Sequence, residues 1–124
     1  MSLSFTGDSW TVTQPDTFQT HGRIWPVLAG ERGEYELDAG DTTGARAALL
    51  AMAMAGNDAY LLPEQVWDNQ PPAGQPGFPP GKGTFSATPL GWSHAQFVRL
   101  AWDIQQGRLA EQPPVVACRY VGCP

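Results

Sequence analysis

The chain has 124 residues, with seven basic side chains against twelve acidic ones and a formal charge of −5. That length serves one small domain, and no basic stripe or long apolar run is present, which excludes a nucleic-acid partner and a membrane span. Fourteen Gly and twelve Pro accompany a low share of Leu, Ile, Val and Phe, while five Trp are spread along the chain, a pattern of short helices between ordered loops rather than of disorder.

Residues 1–20 read as an irregular polar segment broken by Gly7 and Pro15,. They hold no charged stretch followed by an apolar core, so no signal peptide is expected. From Ile24 the character changes. Ile24-Trp25-Pro26-Val27-Leu28 opens a helix with Pro26 in its first turn, where the missing N–H costs nothing,. Gly30 and Gly33 make that helix weak in isolation,. Asp41-Thr42 then offers an N-cap to the clearest helix of the chain, ARAALLAMAMA at 45–55, which ends at Gly56-Asn57,. This helix is apolar on every face except at Arg46. Few other elements exist to surround it, so something outside the chain is expected to cover it.

Residues 58–68, DAYLLPEQVWD, form a short connection with a carboxylate in its middle. The stretch 69–83, NQPPAGQPGFPPGKG, is too rich in Pro and Gly for helix or central strand,. It reads as a linker or ordered loop, with a polyproline ligand as the sharper alternative. A second good helix follows, with Thr88 as N-cap, Pro89 in the first position and Gly107 at its end,. Leu90, His94, Phe97, Val98, Ala101 and Ile104 make its apolar stripe,. Beyond Pro113-Pro114, Val115-Val116-Ala117 suggests a short extended segment, and residues 122–124 a tail,.

Chemistry-bearing residues are few. His21 and His94 are the only histidines, and no third ligand is spaced for a metal,. Ser93-His94 is not a nucleophile–base pair, because neighbours on a helix point about 100° apart, and His94 reads as a satisfied core histidine. Cys118 and Cys123 match neither a zinc nor a redox motif, which leaves free or mutually paired thiols,. No glycine-rich phosphate loop is present and no cofactor is implied. Glu64 stands out, set between Leu61-Leu62-Pro63 and Val66-Trp67. A carboxylate in apolar surroundings pairs, protonates or works. Trp67 close by is of a type that stacks on sugar rings. On composition alone, a Glu paired with an arginine and a catalytic Glu are equally served.

The segments LPEQVWD at 62–68 and SATPLGWSHAQFVRL at 86–100, together with WPVLAGERGEYEL at 25–37, resemble the C-terminal part of bacterial glucoamylases and glucodextranases, glycoside hydrolase family fifteen. The likeness runs over about residues 21–121. It implies an all-α fold, three to four helices of an (α/α)6 toroid with long Gly/Pro-rich loops. It implies inverting hydrolysis of α-1,4- or α-1,6-glucosidic bonds from non-reducing ends, with an α-glucan or oligosaccharide as substrate and an exported protein, secreted or periplasmic. Inversion uses two carboxyls about 6.5–9.5 Å apart, one protonating the leaving oxygen and one activating water. The PEQ glutamate, Glu64, is the general base by this resemblance. The general acid belongs to a segment further upstream, and Glu31, Glu34 and Glu36 do not match its motif. Trp25, Trp67 and Arg32 are implied substrate contacts, although Arg32 equally suits an ion pair with a neighbouring Glu. The N-terminal part of the catalytic domain, or a second copy meeting residues 45–55, is the expected cover for the apolar helix. The alternative is a non-catalytic carbohydrate-binding or interaction module.

Overall fold

The computed structural model describes residues 24–67, 79–84 and 86–123. The segment 1–20, His21 and most of the Pro/Gly-rich stretch 69–83 lie outside the described residues. Four helices, α1 (Pro26–Asp38), α2 (Thr42–Met54), α3 (Gly91–Gln106) and α4 (Pro114–Val121), carry the fold. No strand is present among the described residues, which contain only two isolated antiparallel bridges, Ile24 to Val66 and Val66 to Gly83. No helix is long and apolar enough to cross a membrane.

The α1 helix starts as expected, with Pro26 in its first turn. Its glycines turn out to be packing residues. Gly30 faces Gln96 and Met52, and Gly33 faces Leu100 and Ala48, so closely that a Cβ at either position would overlap them. Without side chains there, α1 lies directly against α2 and α3. The core is the meeting of the three, built of Ala29, Ala48, Met52 and Leu100, flanked by Leu49, Phe97 and Ile104.

In α2 the N-cap is Asp41, whose Oδ1 accepts from the Gly44 N–H at 2.8 Å, and this satisfies one of the orphan donors of the first turn. Ala45, Ala48 and Met52 are buried, whereas Leu50 and Met54 stand 60% and 72% exposed. The apolar outer face expected at 45–55 is therefore uncovered by the described residues. Asn57, rather than a left-handed glycine, shapes the exit of α2. Its Oδ1 accepts from the N–H groups of Ala59 and Leu61, both at 3.0 Å.

Three expectations need correction. The α3 helix begins at Gly91, with Leu90 as its N-cap in extended conformation and no side-chain cap, so Thr88 and Pro89 precede it. The reason is tertiary: the Leu90 N–H donates to the Leu62 carbonyl at 2.9 Å, which holds Leu90 extended. The buried face of α3 is Ser93, Gln96, Leu100 and Asp103, turned by about one position from the apolar stripe, and Val98 is 66% exposed. Each polar member but one finds a hydrogen-bond partner, so the face goes inward; only the Gln96 amide nitrogen is buried without one,. Lastly, 115–117 is helical, within α4. Val115 and Val116 favour a strand, but no described segment pairs with them, and the Val116 and Ala117 N–H groups donate to the Pro113 carbonyl instead,. Gly107 closes α3 as expected, at φ 67°, in the left-handed region that a glycine occupies without strain,. Cys118 and Cys123 are joined as a disulfide at the end of α4.

An ion-pair clasp ties α1 to α3. Arg99 bonds Glu34 through both Nε and Nη2, the latter at 2.7 Å, and reaches Glu111 through Nη1 at 2.9 Å. The Glu34 hydrogen bond raises the Arg99 pKa above its ordinary value; partial burial opposes this, and the charges of Glu34 and Glu111 add to it,.

Candidate functional site

Residues 62–67 appear in the sequence as a connection between helices. In the structure they form a strap, bent at Glu64, that is held along both edges. On one side the Val66 N–H donates to the Ile24 carbonyl at 2.9 Å, and the Ile24 N–H returns to Val66 O at 3.3 Å. On the other side run residues 81–84 and 86–90. Gly81 N–H donates to Trp67 O at 2.7 Å, Trp67 N–H to Lys82 O at 3.0 Å, and Thr84 N–H to Gln65 O at 3.0 Å. The Gln65 N–H donates to Ser86 Oγ at 3.1 Å, and the same oxygen accepts from Thr84 Oγ1 at 2.7 Å. The Glu64 N–H donates to Ala87 O at 2.8 Å, and Leu90 N–H to Leu62 O at 2.9 Å. Nearly every backbone polar group of the strap thus has a partner, as a buried segment requires.

The first turn of α3 adds two side-chain ties at the start of the strap. Ser93 Oγ, fully buried, donates to the Pro63 carbonyl at 2.9 Å. His94 Nε2 accepts from the Leu62 N–H at 3.0 Å. His94 is half-buried and satisfied, as expected.

Glu64 sits in the middle of this frame. Its side chain is half-buried, while its neighbours Leu62, Pro63, Gln65, Val66 and Trp67 are buried. Its Oε2 accepts a long hydrogen bond, 3.4 Å, from the Ala87 N–H. No ion pair to another described residue engages it, so its carboxylate is not committed to an arginine. The Gln65 amide oxygen beside it is buried without a partner among the described residues.

The remaining sequence-predicted site residues divide. Trp25, half-buried, is the N-cap of α1 and follows Ile24, so the Ile24–Val66 bridge brings it close in the chain to the strap. Trp67 belongs to the strap itself and is 3% exposed. Arg32 lies two turns along α1 from Trp25, and its partners are on its own helix: Nε bonds Glu36 Oε1 at 2.7 Å, and the guanidinium lies 4.8 Å from the centre of the Tyr35 ring. The glutamates of α1 have separate occupations, Glu34 with Arg99, Glu36 with Arg32, and Glu31 exposed. Among the described residues no three His, Cys, Asp or Glu side chains converge to hold a metal ion. Sequence reasoning missed Ser86, Thr84 and Ser93 as residues of the site. Their only signal was a cluster of small hydroxyl residues in 84–93, the residue types that bond nearby backbone.

The chain is similar to a glucoamylase of Clostridium sp. (strain G0005), 39% identical over 100 residues that make up 81% of this chain and 12% of the relative. It is also similar in structure to a bacterial glucoamylase crystallised with acarbose, with a TM-score of 0.67 and 36% identity over 80% of this chain and 13% of that one. The chain therefore spans about an eighth of the length of these relatives. No family model matches it.

Proposed function

We propose, starting from a chain that is glucoamylase-like in sequence and in its partial all-α toroid, that it is the C-terminal part of the catalytic domain of an inverting glucoamylase-type hydrolase, with Glu64 as general base. In this reading the Glu64 carboxylate takes a proton from a water molecule as the water oxygen attacks the anomeric carbon. The second carboxyl, on the opposite side of the scissile bond, gives its proton to the departing glycosidic oxygen. The observation that carries the assignment is Glu64 itself: a carboxylate uncommitted to any described arginine, on a backbone fixed along both edges. A base that must hold water against one face of a sugar gains from such rigidity.

The acid is not assigned to Glu34 or Glu36, whose oxygens are already bonded to guanidinium groups. The substrate is an α-glucan or oligosaccharide. Of the two tryptophans, Trp25 has ring surface left to offer a sugar, while Trp67, at 3% exposure, backs the strap,. Arg32 would contact a sugar hydroxyl only by leaving Glu36. The uncovered face of α2, with Leu50 and Met54, is where the remaining helices of the domain, or a second copy, would pack,.

The test is glucose release from maltotetraose and isomaltotetraose, by this chain alone and by the chain supplied with the upstream part of the domain. The chain alone should release none and the combination should release glucose. Glu64→Gln should then lower the rate by about 10²–10⁴-fold, the range of general acid–base contributions. Release that survives the substitution unchanged would refute the assignment.

A further inference from the structure

We infer that Ser93 and His94, adjacent residues in the first turn of α3, are positioning residues for Glu64; this rests on the reading of Glu64 as the general base. Their side chains leave the helix about 100° apart, yet both reach the same dipeptide of the strap, Leu62-Pro63, directly before Glu64. Ser93 Oγ donates to the Pro63 carbonyl at 2.9 Å, and His94 Nε2 accepts from the Leu62 N–H at 3.0 Å. One residue holds an acceptor of the strap and its neighbour holds a donor.

The His94 tie closes a circuit. The Leu62 N–H donates to the ring, the His94 N–H donates to Leu90 O at 3.3 Å, and the Leu90 N–H donates to Leu62 O at 2.9 Å. This circuit fixes where α3 starts and where the strap runs with the same three bonds. It also fixes the state of the imidazole: because a backbone N–H points at Nε2, that nitrogen carries no proton, and the neutral ring holds its proton on Nδ1. The ionisable residues on the neighbouring elements are Glu64 on the strap, Lys82 on the 79–84 segment, Asp58 and Tyr60 in the turn after α2, and Arg99 and Asp103 further along α3. None of them is hydrogen-bonded to the ring or ion-paired with it.

Carboxylate position follows from this frame. The Glu64 N–H is bonded to Ala87 O and its Oε2 to the Ala87 N–H. Both contacts need the strap to stay in register with residues 86–90, and Ser93 and His94 are the side chains that tie its leading end. The pair acts on Glu64 through the backbone and touches no substrate.

Two measurements on the full chain test this. The imidazole nitrogen resonances of His94 should report the neutral Nδ1–H form with Nε2 accepting; a ring protonated on Nε2 at neutral pH overturns the inference, and this reading needs no variant to fold. Amide hydrogen exchange in Ser93→Ala, His94→Leu and His94→Gln gives the second. The first two should speed exchange at Leu62 and Glu64 by about tenfold, the effect of losing one net hydrogen bond. Exchange at Ala48 and Met52 in α2 should not change. Gln can place an acceptor near the Nε2 position, so His94→Gln should stay within about threefold of the parent. Unchanged strap exchange, or equal acceleration in α2, overturns the proposal. Glu64→Gln should leave exchange at Leu62, Ala48 and Met52 as it is. If the strap responds as described but Glu64→Gln does not slow glucose release, the base assignment has failed instead.

Discussion

Gly33→Ala should destabilise the chain, although alanine is the better helix former. Replacing Gly in a helix interior gains about 0.8–1 kcal/mol in propensity. At position 33 the added Cβ would lie 2.5 Å from Leu100 Cδ2 and 2.9 Å from the Cβ of Ala48, where carbon atoms sit comfortably at about 3.5–4.0 Å. Leu100 is fully buried and cannot swing aside, and the Ala48 Cβ moves only with the backbone of α2. Overpacking of this kind costs about 1–3 kcal/mol. Two contacts under 3.0 Å put this site in the upper part of that range, about 2–3 kcal/mol, so the net loss is about 1–2 kcal/mol and the fall in Tm about 3–10 °C. Thermal unfolding followed by helical circular dichroism measures this. Gly91→Ala is the control, because its Cβ would meet nothing within 4 Å; its Tm should stay within about 2 °C of the parent. Combining Gly33→Ala with Leu100→Ala removes the closest clash. The double mutant should be more stable than the two losses added together, by about 0.5 kcal/mol or more. A Gly33→Ala chain at or above the parent Tm would refute the close-approach argument.

Two further outcomes follow from α2. Asp41→Ala removes the acceptor of the Gly44 N–H and should cost about 0.5–2 kcal/mol in a denaturant titration, while Asp41→Asn keeps a capping oxygen and should lose much less. Leu50→Gln with Met54→Gln changes two side chains that are 60% and 72% exposed, so folding stability should shift by about 0.5 kcal/mol or less. The same pair should weaken self-association in sedimentation if the outer face of α2 is an interface; unchanged association places the contact elsewhere.

How far the fold was legible depended on whether its signals were local. The α2 helix was readable to within a few residues because Asp41 caps it and alanine, leucine and methionine fill it. The exit of α3 was readable because Gly107 is the residue that a left-handed C-cap favours. The start of α3 was not. Thr88-Pro89 has good local capping chemistry, but Leu90 spends its N–H on the Leu62 carbonyl, some thirty residues away in sequence. The buried face of α3 misled for a related reason. Ser93 and Asp103 read as outward residues on hydrophobicity, yet Ser93 bonds Pro63 O and Asp103 Oδ1 accepts from the Ala110 N–H at 2.8 Å, so the cost of burying them is offset. Gly30 and Gly33 showed their weak propensity in the sequence and concealed their use, since a close approach has a signal only once the partner helix is known.

The candidate site divides in the same way. Glu64 could be singled out from its apolar neighbours, and the motif around it pointed to glucoamylases, but nothing local said that residues 62–67 are a strap. A bent segment with Pro63 inside and no alternation has no periodicity to find,. Its order comes from outside: Ile24 on one edge, residues 81–84 and 86–90 on the other, Ser93 and His94 at its head. The small hydroxyl side chains that do this work, Thr84, Ser86 and Ser93, are individually unremarked in a sequence because each is bland without its carbonyl or amide partner. In the proposed role, what would make the Glu64 carboxylate serve as a base is where it is held, and the groups bonded directly to Glu64 are the N–H and carbonyl of Ala87, which any residue type but proline could supply. A sequence can therefore announce such a residue by its motif and still leave its placement to be read from the fold.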